Sequence, residues 1–259
     1  MLRELRLLFS AIQFFTRLPL PAWVGHDAQQ LDQTARYLPL VGILVGTIAA
    51  FVLWLGSMAL PLSLAIGLSM VASILVTGAF HEDGLADFAD GFGGGHNREQ
   101  VLAIMKDSRV GSYGVLALVL VLLLKYQALL ALCGAYGLPY AAAALVAAHS
   151  VSRLLAASLM FTQHYVRADD TARARPAAQQ LSGGSLAIAL LTACAALGLL
   201  VAAGARGLPL LSALAAALLL RAWLARRTRQ RLGGYTGDCL GALQQLGELA
   251  FYLGLAAAL

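Results

Sequence analysis

The feature that most constrains this chain is the length of its apolar runs. Seven stretches, roughly 38–60, 61–80, 111–133, 138–161, 185–204, 207–225 and 240–259, approach or exceed the roughly 20 residues that an α-helix needs to cross about 30 Å of hydrocarbon. They continue without the 3.6- or 2.0-residue alternation that marks half-buried elements of soluble proteins. Gly and Pro punctuate the joins at Leu60-Pro61, Gly134 to Pro139 and Gly204 to Pro209, which makes tight helical hairpins of the paired runs. The pattern predicts an all-α, polytopic transmembrane helical bundle of about seven spans, forming a single domain over 1–259.

Composition agrees where it bears on solvent. Hydrophobic residues make up 60% of the chain and charged residues 12%, against the roughly 25% charged residues of a soluble domain. The segment Leu5 to Leu20 mixes Arg6 and Arg17 with Leu7, Leu8, Phe9, Ile12, Phe14 and Phe15; Gln13 interrupts it, and no small-residue cleavage site precedes Pro19 and Pro21. An interfacial or partly inserted helix fits better than a signal peptide. Cys133, Cys194 and Cys239 form no CxxC pair, so neither a disulfide framework nor a zinc site is indicated.

The net charge of +5 reflects sidedness rather than nucleic-acid binding. If loops alternate across the membrane, fourteen of the eighteen Lys and Arg residues fall on the side that holds the N-terminus and loops 81–110, 162–184 and 226–239. Arg206 alone lies on the other side, and Lys125, Arg153 and Arg221 lie within spans. The positive-inside rule makes the first side cytoplasmic, with lipid as a partner.

On that side lies the most informative block, His81-Glu82-Asp83-Gly84-Leu85-Ala86-Asp87-Phe88-Ala89-Asp90-Gly91-Phe92-Gly93-Gly94-Gly95. In a helix, Asp83, Asp87 and Asp90 share one face at i, i+4 and i+7. Crowded like charges repel unless they protonate, find cations or bind a metal, and oxygen ligands suit Mg2+. Gly91, Gly93 and Gly94 would then form a backbone nest for phosphate. The plainer alternative is a solvated loop with capping aspartates.

Other groups on the same side are candidates too. Lys106 and Arg109 could neutralise phosphate oxygens, or serve only as membrane anchors. Gly233-Gly234-Tyr235-Thr236-Gly237-Asp238 offers a second flexible turn with a carboxylate, so Gly234, Thr236 and Gly237 are candidate substrate contacts and Asp238 a candidate metal ligand or helix cap. Within the spans, Lys125, His149, Arg153 and Glu248 require either a polar cavity or one another. Arg153 and Glu248 are therefore substrate-binding candidates, with an ion pair such as Lys125 to Glu248 as the competing explanation.

These residues, with Phe15-Thr16-Arg17-Leu18-Pro19, Tyr37-Leu38-Pro39-Leu40-Val41-Gly42, Lys106-Asp107-Ser108 and Leu240-Gly241-Ala242, resemble the cobalamin synthase family, the adenosylcobinamide-GDP ribazoletransferases, over nearly the whole chain. The pattern departs at Glu82, where an apolar residue is common. The resemblance implies transfer of the cobinamide-phosphate moiety of adenosylcobinamide-GDP to α-ribazole or its 5′-phosphate, with release of GMP. On chemical grounds Asp83, Asp87, Asp90, His81 and Lys106 are the catalytic candidates, and Asp83, Asp87, Asp90, Asp238 and Glu82 the candidate magnesium ligands. Arg109 and Lys106 would meet the leaving group. Self-association, or association with other corrinoid-assembly enzymes, is left open.

Three other classes fit less well. A CDP-alcohol phosphotransferase needs Arg where Asp87 stands, and an intramembrane prenyltransferase needs a second acidic block. A transporter would concentrate its charges near the midplane, whereas here the richest chemistry lies at a helix end.

Overall fold

The computed structural model describes residues 2–21, 23, 31–166 and 181–257. Arg167, Arg173 and Arg175, which contribute to the basic loop 162–184, lie outside them. The order is α1 (Leu2–Phe15), α2 (Leu31–Thr34), a 3-10 turn (Ala35–Tyr37), α3 (Leu38–Ser57), α4 (Leu62–Thr77), α5 (Phe80–Gly94), α6 (Arg98–Ile104), α7 (Ser112–Tyr136), α8 (Leu138–Thr162), α9 (Gly183–Ala202), α10 (Leu208–Leu232) and α11 (Gly237–Ala256). Extended pairing among the described residues is limited to one parallel bridge between Tyr165 and Tyr235.

Every apolar run becomes a helix, but not every helix is a free-standing span. The segments Ala35–Ser57, Ser112–Tyr136, Leu138–Thr162, Gly183–Ala202 and Leu208–Leu232 are long and apolar enough to cross a membrane, and α4 with α5 makes a sixth only if that pair, bent by 88°, counts as one. The expected count of seven is therefore too high by this measure. At about 1.5 Å per residue, the 16 residues of α4 reach only about 24 Å. The other shortfall is α11, which carries Gln244, Gln245 and Glu248 and buries most of its length in protein.

Burial separates centre from rim. In its most apolar window α8 is 83% buried and α10 only 22%, so α8 is enclosed by protein while α10 leaves most of its apolar surface exposed. Helix α11 packs against α5, α7, α8 and α10, and α8 also packs against α3 and α9. Small residues allow the close approaches that membrane helices use in place of a hydrophobic driving force. A Cβ at Gly46 on α3 would come within 2.7 Å of Val146 Cα on α8, and one at Gly247 within 2.9 Å of Leu155 Cδ1.

Candidate active site

The site begins at the corner between α4 and α5. Gly78 and Ala79 are both left-handed, at φ 65° and 58°, and together they turn the chain through 88°. Ala79 is the only non-glycine among the described residues with positive φ, an uncommon conformation for a side chain with a Cβ. The α1 exit locks onto this corner: the backbone N–H of Arg17 donates to the Val76 carbonyl at 2.7 Å, and its side chain lies over Gly78.

Beyond the corner, the acidic block is a helix rather than a loop, as its i, i+4, i+7 spacing allowed. The first ligand candidates are brought together by a crossing of two glycines. A Cβ on Gly84 would meet Asp238 Cα at 3.2 Å and Gly241 Cα at 3.3 Å, and one on Gly241 would meet Gly84 Cα at 3.1 Å. Helices α5 and α11 thus touch backbone to backbone, which places Asp83 and Asp87 of α5 beside Asp238 of α11. Helix α5 lies outside the five spans, and Asp87 is only partly buried. Burial, and after it the carboxylates of Asp238, Asp83 and Asp90, push its pKa up to about 7. Thr236 caps α11, accepting from Cys239 N at 3.4 Å, and its hydroxyl donates to Asp238 Oδ2 at 3.3 Å, so it orients the carboxylate.

Behind these acids lies a partly open cavity of about 250 Å³, bounded mainly by α1, α5, α8 and α11. His81, Asp83, Gly237, Asp238, Arg153 and Gln244 supply its polar lining, and Phe14, Phe15, Phe80 and Tyr165 its aromatic one. A second concavity, of about 420 Å³, shares Phe14, Phe80 and Asp83 and adds Arg17, Thr16 and Gly78. His81 is buried, and desolvation together with the nearby Arg153 cation holds its pKa well below 6.5, so the ring is uncharged.

Several expected roles change. Asp90 is 8% exposed and accepts from Gly111 N at 2.7 Å and Gly114 N at 2.9 Å, which makes it the anchor of the α7 N-terminus rather than a ligand beside Asp83. Glu82 turns inward and accepts from Gln245 Nε2 at 2.9 Å. Gly91, Gly93 and Gly94 form no anion nest, because they lie within α5. A Cβ at Gly91 would strike Met105 Cγ at 2.6 Å, and one at Gly93 the Tyr113 ring. Among the described residues no three His, Cys, Asp or Glu side chains stand close enough to hold one metal ion, so the five-residue magnesium set is not preassembled. Asp83 and Asp238 remain as neighbouring carboxylates on the cavity wall, with Asp87 beside them.

The basic candidates move as well. Arg109, with its side chain 86% exposed, is bidentate to Asp107 at 2.6 to 3.1 Å and holds that carboxyl down to about 2. It borders a separate surface concavity with Asp90 and Tyr113, and Lys106 is exposed on the same turn, so neither faces the cavity. Gly234 is needed for the Tyr165–Tyr235 bridge, since a Cβ there would collide with the His164 carbonyl. Glu248 sits in a buried network, 3.1 Å from Lys125 Nζ and 3.3 Å from His149 Nδ1, and accepts from Gln244 Nε2 at 2.8 Å. The ion-pair explanation accounts for Glu248, whereas Arg153 does line the cavity.

A family model described as cobalamin-5-phosphate synthase matches residues 7–256. The chain belongs to the cobalamin-5-phosphate synthase family. It is 50% identical to the adenosylcobinamide-GDP ribazoletransferase of Shewanella frigidimarina over 258 residues, covering 97% of this chain and 94% of the relative. It is 51% identical to that of Leptothrix cholodnii over 254 residues (98% and 96%) and 48% identical to that of Shewanella oneidensis over 250 (96% and 93%). No solved structure matches the chain. The family match takes in every element that builds the cavity, from Phe14 on α1 to Gln244 on α11.

Within that synthase-family frame, sequence reasoning missed Arg17, Phe14, Phe15, Met160, Tyr165 and Gln244 as residues around the cavity. The signal for two of them was present, because Phe15-Thr16-Arg17-Leu18-Pro19 carries part of the resemblance. Their convergence on α5 is a tertiary fact that no local pattern records.

Proposed function

We propose that this chain transfers the cobinamide-phosphate part of adenosylcobinamide-GDP to a hydroxyl of α-ribazole, or of its 5′-phosphate, giving adenosylcobalamin or its phosphate and GMP. Relatives at 50% and 51% identity bear that transferase name over nearly their full length. The observation that carries the chemistry is the approach of Asp83 and Asp238 on the wall of one cavity, with Asp87 close enough to feel both carboxylates. The hydroxyl oxygen bonds to the phosphorus nearer the cobinamide, the bond from that phosphorus to the bridging oxygen breaks, and GMP leaves with that oxygen. Such a transfer demands positioning and charge neutralisation more than covalent help.

The donor set suits magnesium, which takes one or two carboxylates and completes its shell with water and substrate phosphate. Asp83 and Asp238 would hold it, with Asp87 beside them, and when bound it would neutralise charge on the diphosphate. Arg17, facing the adjoining concavity with Asp83, takes over the contact with the leaving group that sequence alone gave to Lys106 and Arg109. His81 and the aspartates beside it on the cavity wall are the groups placed to take the hydroxyl proton. The active face is cytoplasmic in a bacterial inner membrane, a reading supported by the one-sided distribution of Lys and Arg.

The test uses detergent-solubilised protein with adenosylcobinamide-GDP. GMP should appear only when α-ribazole and magnesium are both supplied. GMP release without ribazole, or none with all components present, would sink the reading.

A further inference from the structure

The basic end of α10 borders a further concavity, of about 290 Å³, that shares no lining residue with the catalytic cavity. Its walls come from two helices. On α10, Trp223, Arg227 and Arg231 follow at i, i+4 and i+8 and so form one stripe. On α5, Phe88 and Phe92 stack with ring centroids 4.2 Å apart and make the facing wall.

The two arginines of the stripe are used differently. Arg231 serves the fold: its guanidinium lies 5.4 Å from the centre of the Phe92 ring and donates to the Phe92 and Gly95 carbonyls at the end of α5. Arg227 is exposed and lies over the Trp223 ring at 5.8 Å, and no hydrogen bond from its N–H groups to the described residues is formed. Arg226 and Arg229 flank it, also exposed, and among the described residues no acidic side chain pairs with any of these four cations.

Towards the membrane interior the same stripe is apolar. Leu219, one turn before Trp223, is 71% exposed, and Trp223 itself 48%. Along the helix, leucine thus gives way to tryptophan and then to arginine, which is the order of acyl chain, interfacial layer and headgroup phosphate in a bilayer. A free phosphate would use the arginines alone and leave Leu219 and Trp223 uncovered. A zwitterionic headgroup would bring its own cation against an uncompensated arginine cluster. The chemistry that matches the whole stripe is a phospholipid with an anionic head.

We propose that the groove between α5 and α10 is a site for an anionic phospholipid, with its phosphodiester on Arg227, its interfacial carbons against Trp223 and Phe92, and an acyl chain along Leu219. The site lies beyond the transferase chemistry and does not depend on it.

The experiment uses full-length protein in vesicles, with Trp23→Phe and Trp54→Phe leaving Trp223 as the sole tryptophan. Quenching by phosphatidylglycerol with brominated chains is compared with quenching by brominated phosphatidylcholine at the same mole fraction. Phosphatidylglycerol should quench as though enriched about 5-fold at Trp223, the size of one arginine's attraction to an anionic surface. Arg227→Gln should bring that ratio to about 1, and Arg227→Lys, which keeps the charge, should retain most of the preference. Arg226→Gln removes the same charge outside the groove and should retain most of it too. Equal losses in Arg226→Gln and Arg227→Gln would reduce the effect to diffuse surface attraction and overturn the site, as would no preference in the parent protein. Excess inorganic phosphate should leave the preference intact; its abolition would mean that a soluble phosphate occupies Arg227 instead. KM for adenosylcobinamide-GDP in Arg227→Gln should stay within about 2-fold of the wild type, and a rise of about 10-fold would assign the groove to the donor's diphosphate and overturn the lipid assignment.

Discussion

Three aspartates that look equivalent in sequence divide into two kinds once their surroundings are known. Asp90 satisfies two backbone N–H groups at the start of α7, whereas Asp83 and Asp87 face Asp238. Asp83→Asn and Asp87→Asn should therefore abolish GMP release in protein of normal thermal stability. Asp90→Ala should lower stability by about 1–2 kcal/mol, the usual effect of losing a capping side chain, and should retain measurable turnover. Unfolding monitored by tryptophan fluorescence beside a GMP-release assay separates the two classes; an inert but stable Asp90→Ala would contradict this division. Only spacing was legible in the sequence at this scale. The partners of Asp90 lie 21 and 24 residues away on backbone atoms, so no motif could reveal them.

Asp87 also gives a sign for pH dependence. Its carboxyl binds a proton more tightly in the fold, with a pKa of about 7, than at its ordinary value of 3.8. The stability it contributes is fully present below about pH 4 and is lost as pH rises through about 7. In metal-free buffer the melting temperature of the wild type should decline across about pH 4 to 7, and Asp87→Asn should remove that part of the slope. An identical slope in both proteins would show that Asp87 is not the group responsible.

Among the elements, the decisive contact is the crossing of α5 and α11. Its legibility was partial: Gly84 stood out as part of the acidic block, but the tract at Gly91, Gly93 and Gly94 looked like a phosphate nest because helical glycines and loop glycines share one letter. Met105 and Tyr113, which pack on those glycines, explain them only after the chain is folded. Gly241→Ala would place a methyl 3.1 Å from Gly84 Cα and from the His81 carbonyl, both backbone atoms that cannot swing aside. The helices must separate by a few tenths of an ångström, which moves Asp238 away from Asp83. Turnover should fall on the order of 10- to 100-fold, since small displacements of reacting groups carry penalties of that size. Membrane insertion and yield should hold. Gly67→Ala, where a Cβ meets nothing within 4 Å, is the matched control and should be silent.

At the scale of the whole molecule, apolar run length revealed the helices but not which of them are enclosed by protein. Helix α11 is the instructive case. Gln244, Gln245 and Glu248 would be intolerable against lipid, and they are acceptable because α5, α7 and α8 surround them with a continuous polar network. Lys125 donates to Gln245 Oε1 at 2.6 Å and pairs with Glu248 at 3.1 Å, Gln245 reaches Glu82 at 2.9 Å, and His149 links Glu248 to Arg153. Glu82, Glu248, Lys125 and Arg153 are thus joined across four helices, so each depends on the rest. Lys125→Met leaves Glu248 short of a cation in a buried setting and should destabilise the protein by about 3–5 kcal/mol, the usual range for a broken buried pair. Adding Glu248→Gln removes the stranded charge and should recover a large part of that loss, although neither residue touches the cavity. The arrangement predicts strong coupling in a double-mutant cycle read by thermal unfolding in detergent, and additive losses would mean that the two charges are solvated independently rather than paired.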